Sequence, residues 1–454
     1  MTYRSSVERL YALGHELAST PTHKFDLTYV REMLGVMGNP ERRFPSVLIA
    51  GTNGKGSTAA TLSSILRTAG YKTGLYTSPH LLRINERIRV NGEPIADVEF
   101  SEIYERTERT AQELLKSGRL PWHPSFFEML TVMAFEYFAS LSIDIAVLEV
   151  GMGGRLDATN VVDPLLSVIS DISLDHQKFL GNTITEIAGE KAGIIRENGV
   201  AVTLPQHPEA NDVIGNTILT RNASAVSAVK YTPPVSPGAA EYLAAQVEPE
   251  LGRNRYPLSV LGEQIVVDSP LIGRHQYRNI ALAIAAAEEL EKYGFKVTAR
   301  QIERGIRETH WPGRFQVLPP SPASNQHTVV LDVAHNPAGA WALRAALSEQ
   351  FAKRESEFAF VFSAMRDKAI QEMADILFPI AREVIVTHLD SPRAATTDEL
   401  VQLGARTGTE IHAEPTVGAA LRRALEQTPE DEIIVVTGSI FLVGDTMKEL
   451  GIPA

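Results

Sequence analysis

The chain has 454 residues, 44% of them hydrophobic and 22% charged, with a formal net charge of −12. This is an ordinary globular profile with core enough for two or three domains, and it excludes a disordered or fibrous chain. The acidic balance argues against a general nucleic-acid or membrane-surface binder, and the lack of cysteine excludes disulfides, thiolate metal sites and cysteine nucleophiles.

The opening, MTYRSSVERLYALGHEL, has no apolar core of the signal-peptide kind, and no apolar run approaches the ~20 residues of a membrane helix. A cytoplasmic protein is expected, with neither membrane nor nucleic acid as partner. SVLIAG reads as a buried strand, followed by a helix with Leu62, Ile65, Leu66 and Ala69 on one face. DIAVLEVG and LLSVISDIS read as further buried strands. β-Branched runs alternating with helical patterns predict a parallel α/β sheet covered by helices on both sides.

ITEIAGEKAGII reads as a helix, with Ile184, Ile187, Ala188 and Lys191 on one stripe. A buried, unpaired ammonium is strongly disfavoured, so either Lys191 snorkels to water or something inside requires it. From about Pro233 to Leu261 the text is proline-rich and poorly periodic, and it reads as loops and irregular strands. A helix, YRNIALAIAAAEELEKYG, follows. A junction near Lys296–Gln301 separates a domain at 1–297 from a smaller one at 298–454. In the latter, TVVLDVAHNPAG, FAFVFSAM, EVIVTHL and EIIVVTGSIF are strands, and PPSPASNQ is a polar turn.

The strongest chemical signal is VLIAGTNGKGSTAATL, a strand turning through three glycines into a helix. Gly51, Gly54 and Gly56 let backbone N–H groups approach an anion, and the helix N-terminus adds partial positive charge. Lys55 supplies a full charge, and Ser57 or Thr58 a hydroxyl for magnesium. The spacing departs from G-x-x-x-x-G-K-[ST], since Gly56 separates the lysine from the serine. The fold class expected is therefore α/β: an N-terminal P-loop-type parallel-sheet ATPase domain plus a smaller C-terminal Rossmann-like domain.

Glu149 ends a strand where open α/β sheets bind ligands, and it is either a metal ligand or a surface acid. His176 and Ser78 each follow a strand; alone, the histidine reads as a structural hydrogen-bonder and the serine as a turn former. Asp332 lies near a strand end and His335 before a helix start that Asn336 and Pro337 would cap. Arg314 either meets a phosphate or pairs with a surface acid.

Together GTNGKGST, GLYTSPHLLRINERIRVNGEPI, FFEMLTVMAFEYF, LEVGMGGRLDATN, LDHQKFLGNT, IAGEKAGIIR, GRHQYRNIALA, WPGRFQ and LDVAHNP resemble, in order, the Mur ligase superfamily. Within it they resemble the folylpolyglutamate synthase/dihydrofolate synthase family. The resemblance implies an ATP-dependent amide ligase that joins L-glutamate to dihydropteroate, to the γ-carboxylate of folates, or to both, through an acyl phosphate. It assigns Thr52, Asn53, Gly54, Lys55, Gly56, Ser57, Thr58, Asn279, Arg314 and Asp332 to ATP. It assigns Ser57, Ser78, Glu149, His176 and Lys191 to two magnesium sites, with Lys191 carbamoylated. Lys55, Lys191, His176 and His335 would be catalytic.

Pro79, His80, Arg83, Asn85 and Arg87 would contact the pterin side, as would Phe126 and Phe127, which equally read as helix core. Arg366 and Lys368 are placed near the incoming glutamate by charge and motif position. The chain is expected to act as a monomer. The alternatives are a Mur-type ligase acting on a peptidoglycan precursor and a non-catalytic ATP-binding regulatory protein.

Overall fold

A computed structural model describes residues 2–14, 26–233, 251–351 and 358–453. Residues 2–14, 26–233, 258–265 and 278–308 group into one unit, and 251–257, 266–277, 309–351 and 358–453 into a second.

The first unit begins with α1 (Tyr3–Ala12) and α2 (Leu27–Val36), then β1 (Ser46–Ala50) and α3 (Lys55–Thr68). β2 (Thr73–Tyr76), β3 (Ile88–Val90), β4 (Glu93–Pro94), α4 (Asp97–Lys116) and α5 (Phe126–Ser140) follow. The series continues with β5 (Ile145–Glu149), β6 (Leu166–Ile169), α6 (Gln177–Leu180), α7 (Ile184–Ala192), β7 (Val200–Thr203), α8 (Pro208–Thr220) and β8 (Ser224–Ser227). The eight strands form one sheet in the order β4-β3-β2-β5-β1-β6-β7-β8. β3 pairs antiparallel with both β2 and β4, and the other pairings are parallel.

Every residue of β1 and β5 is buried, as a strand covered on both faces requires. α3 is buried from Gly56 to Leu66 on every side, so its expected apolar stripe widens into a full core helix. α7 starts in a capping box, Thr183 with Glu186, and buries Ile187, Ala188 and Lys191.

The stretch expected to be irregular up to Leu261 contains a regular strand, β9 (Asn254–Val260), paired with β10 (Glu263–Ser269). Leu261 and Gly262, both at positive φ, make the tight turn, a geometry that matches strand twist and that hydropathy does not signal. Residues 234–250 of that stretch lie outside the described residues.

Next come α9 (Arg274–Glu289) and α10 (Ala299–Arg307). The expected domain junction precedes α10, but α10 belongs to the first unit. It packs so closely on α3 that a Cβ on Gly305 would lie 2.5 Å from Ile65 Cα, and Ser64 Oγ donates to the Gly305 carbonyl at 2.7 Å.

The second unit contains β11 (Gln316–Leu318), β12 (Thr328–Leu331), α11 (Pro337–Gln350), β13 (Phe358–Phe362), α12 (Ile370–Leu377) and β14 (Ala381–Thr387). It ends with α13 (Thr397–Thr407), β15 (Glu410–Glu414), α14 (Val417–Gln427), β16 (Ile433–Thr437) and α15 (Ile440–Glu449). Its sheet order is β11-β12-β16-β13-β14-β15, parallel except for the β11 edge. Phe360, Phe362, Val384 and Val435 build the core with Leu343, Leu347 and Phe378 from the helices.

Candidate active site

The glycine loop leaves β1 with Gly51 at φ +156°, where a Cβ would come within 1.9 Å of Ser170 Oγ. Gly54 sits at φ +85°, with Asn279 Oδ1 2.1 Å from a would-be Cβ. Only glycine fits both positions. Gly54 caps α3 without a side chain, and Thr58 N makes the first intrahelical bond, to the Gly54 carbonyl. The amides of Lys55, Gly56 and Ser57 thus belong to the first turn, where a helix has no acceptor for them. They form a candidate anion cradle, and Lys55 Nζ donates to the Thr52 carbonyl at 3.2 Å. Thr58 is wholly buried, its hydroxyl without a hydrogen-bond partner among the described residues.

Thr52 and Asn53 have a different part. Both of their amides donate to the Asp171 carbonyl. Thr52 Oγ1 donates to the Ser173 carbonyl and accepts from its amide, and Asn53 Nδ2 donates to Ser173 Oγ. These two residues frame the loop and do not turn their amides to the cradle.

β5 and β1 run side by side, so Glu149 reaches the same carboxyl edge, in register with Ile49. It is 5% exposed, and Oε2 accepts the Ser78 amide at 3.1 Å. The Ser78–Pro79 peptide is cis. His176 precedes α6 at φ +51°, and its amide donates to Asp175 Oδ1.

Lys191 does not snorkel. It is 3% exposed, and Nζ donates to the Gly51 carbonyl at 2.8 Å. Burial, reinforced by the like charge of Lys55, pushes its pKa down to about 7, while Asp175 and Asp157 pull the other way. Asp157 is itself pushed up to about 6 by burial, although Thr159 and the Met152 amide donate to it.

The loop after Ser78 folds around Glu86, which accepts the amides of Leu81, Leu82 and Arg83. His80 Nδ1 accepts from Arg87 Nε at 2.8 Å, which leaves Nε2 as the protonated nitrogen facing the Tyr11 hydroxyl at 3.2 Å. Arg87 stands over the Phe126 ring, and Tyr11 stacks on Phe126 at 5.5 Å. Phe126 is 2% exposed and is a core residue; Phe127 is half-buried, its ring against Gly151. Asn85 is buried and donates to the Ile95 carbonyl, and Arg83 pairs with Asp97.

In the second unit Asp332 accepts the amides of Phe315 and Ala334, each at 2.8 Å, and burial pushes its pKa up to about 6, against the pull of Arg314. His335 Nδ1 lies 2.9 Å from the Val333 carbonyl, and Asn336 caps α11 through the Gly339 amide, with Pro337 in the first turn. Arg366 pairs with Glu399 on the surface, and the Lys368 amide donates to the Met365 carbonyl.

Sequence reasoning passed over Ser170, Asp171, Asp175 and Arg278. Ser170 Oγ donates to the Asn53 carbonyl, and the Arg278 guanidinium grips the Asp171 carboxylate. The signal available was position, since three of the four follow β6 at the carboxyl edge of the sheet.

A phosphate cradle beside a strand-end glutamate, with a second α/β unit, is the arrangement of an ATP-dependent ligase of the Mur type. The Mur ligase middle domain matches residues 122–287, and the Mur ligase glutamate ligase domain matches 313–440. The chain is 35% identical over 427 residues to the dihydrofolate synthase/folylpolyglutamate synthase of Bacillus subtilis, covering 93% of this chain and 94% of that one. It is 32% identical to the folylpolyglutamate synthase of Lacticaseibacillus casei over 99% of both chains.

The Mycobacterium tuberculosis folylpolyglutamate synthase complexed with ADP and AMPPCP superposes with a TM-score of 0.84 at 31% identity, over 99% of each chain. An FPGS–AMPPCP–folate complex gives 0.81 at 29% identity, over 99% of this chain and 100% of that one. The chain belongs to the folylpolyglutamate synthase/dihydrofolate synthase family. It is an ATP-dependent ligase that attaches glutamate in folate metabolism.

Proposed function

We propose that the chain is bifunctional, adding L-glutamate to dihydropteroate and to the γ-carboxylate of reduced folates. The likeness to the Bacillus subtilis dihydrofolate synthase/folylpolyglutamate synthase supports two activities, and the placement of the Lys55–Ser57 amides, Glu149 and Ser78 at the carboxyl edge of β1, β5 and β2 supports the ligase chemistry common to both. A carboxylate oxygen of the acid attacks the γ-phosphorus, ADP leaves, and an acyl phosphate forms. The amine of glutamate adds to the acyl carbon, phosphate departs, and an amide remains. Two anions must be brought together in line, so the work of the protein is alignment and charge neutralisation.

The donor set suits magnesium. Among the described residues no cluster of three His, Asp or Glu forms a ready cage, and the serine hydroxyls and the Glu149 carboxylate are hard oxygens that phosphate would complete, with His176 a nitrogen donor beside them. Ser57, Ser78 and Glu149 would hold one ion, and Glu149, His176 and Lys191 a second. When bound, the ions neutralise phosphate charge.

With its pKa near 7, Lys191 keeps much of its amine neutral at physiological pH. The nitrogen lone pair can then attack carbon dioxide, forming a C–N bond and releasing a proton. The resulting carbamate is an anion where an ammonium would be costly.

We assign Arg314 and Asp332 to the nucleotide and His335 to the glutamate side, with Asp332 holding the turn before α11. The Arg366–Glu399 pair supports a surface role for Arg366 over a substrate contact. Among the described residues no helix is long and apolar enough to cross a membrane. We read the chain as a cytoplasmic monomer.

The test is ADP release with ATP and L-glutamate, offering dihydropteroate and tetrahydrofolate separately and a UDP-muramoyl acid as control. Turnover with both pterin acids is the expected result. Turnover with one alone would end the bifunctional reading, and turnover only with the muramoyl acid would replace it.

A further inference from the structure

Thr52 and Asn53 turn the phosphate loop, and their amides share one acceptor, the Asp171 carbonyl, at 2.8 and 3.1 Å. The carboxylate of the same aspartate is gripped by Arg278. Nε reaches Oδ1 and Oδ2 at 2.8 and 3.0 Å, and Nη2 reaches Oδ1 at 2.6 Å. Nη2 also donates to the Pro205 carbonyl, just past β7, at 2.8 Å. A planar fork on both carboxylate oxygens sets direction as well as distance, which a lysine ammonium would not. The group that holds the loop is therefore itself held. The next residue of α9, Asn279, lies directly against Gly54.

We propose that Asp171 and Arg278 are positioning residues for nucleotide binding. Their fork sets the Thr52–Asn53 backbone and so the angle at which the Lys55–Ser57 amides face the triphosphate. This rests on the assignment of those amides to ATP. The Arg278 and Asp171 side chains are 31% and 34% exposed, and an ion pair open to water to that extent adds little to global stability. Its consequence is local, at the loop.

Asp171→Asn, Arg278→Gln, the double variant and Arg278→Lys are compared with Lys55→Ala. The readouts are AMPPCP dissociation constants, KM for ATP and for glutamate, kcat and melting temperature. Each single change should weaken AMPPCP binding and raise KM for ATP about tenfold, with KM for glutamate and melting temperature little changed. The double variant should be no worse than either single, because both break the same fork, and Arg278→Lys should recover only part of the loss.

Unchanged AMPPCP affinity in both singles, or losses that multiply in the double, would overturn the inference. If Lys55→Ala alone weakens binding, the positioning role fails and the phosphate-loop assignment stands; if Lys55→Ala is also silent, both fail. Should Asp171→Asn not fold, Arg278→Gln and Arg278→Lys carry the test with Asp171 in place.

Discussion

Lys191 Nζ donates to the Gly51 carbonyl at 2.8 Å, so the last turn of α7 touches the residue that opens the phosphate loop. A buried ammonium with one neutral acceptor is under-compensated, and its pKa falls to about 7. Only the neutral amine reacts with carbon dioxide. In labelled bicarbonate, a carbamate signal should therefore fade as pH drops through about 7, because protonation then removes the nucleophile. An exposed lysine, by contrast, stays protonated to about pH 10. Lys191→Arg should abolish the signal and cost at least about tenfold in turnover. A signal of undiminished strength in that variant would place the modification elsewhere.

Gly54→Ala meets two obstacles, the left-handed backbone and Asn279 Oδ1 at 2.1 Å. The backbone alone should cost about 1–2 kcal/mol, read by denaturant melts, and KM for ATP should rise. Adding Asn279→Ala should relieve the clash but not the backbone strain. Complete recovery in the double variant would mean that the conformation of Gly54 carries no strain.

Gly305→Ala drives a methyl into the backbone of Ile65, which can yield only if α10 moves off α3. A loss of about 1–3 kcal/mol is expected. Gly189→Ala is the matched contrast. It lies on the exposed side of α7 with nothing within 4 Å of the new methyl, and it should stabilise by about 0.4–1 kcal/mol. Equal melting temperatures for the two variants would refute the close-packing account.

His123 Nε2 lies 3.0 Å from Glu108 Oε2. The hydrogen bond to Glu108 raises the histidine pKa against the effect of burial. Burial would push Glu108 up, but hydrogen bonds from His123 and Gln112 hold it below its usual range. The histidine contribution is fully present below its unfolded value of about 6.5 and is lost as pH rises through the raised folded value. The melting-temperature advantage of the native protein over His123→Gln should thus be largest on the acid side of neutrality and shrink on the alkaline side. An advantage independent of pH would show that the pair is not ionised.

The central strands were legible because a parallel strand buried on both faces must be written in apolar residues, as SVLIA and IIVVT are. The β9–β10 hairpin was not, since its tight turn uses Leu261 beside Gly262 and carries none of the usual Asn-Gly or Asp-Gly signal. Among site residues, Lys191 was visible because it broke an apolar stripe. Asp171 and Arg278 broke no pattern, as charged residues near helix and strand ends are ordinary.

The sequence by itself determined the alternation of strands and helices, the glycines that only a close approach can explain, and the order of motifs that marks the family. Local spacing and side-chain chemistry suffice for these. Only the tertiary structure decided that Lys191 faces Gly51, that Thr52 and Asn53 give their amides to Asp171, and that Arg278 grips the same aspartate. Each of those contacts joins segments distant along the chain, and their partners are chosen by how the sheet orders its strands, which no local pattern encodes.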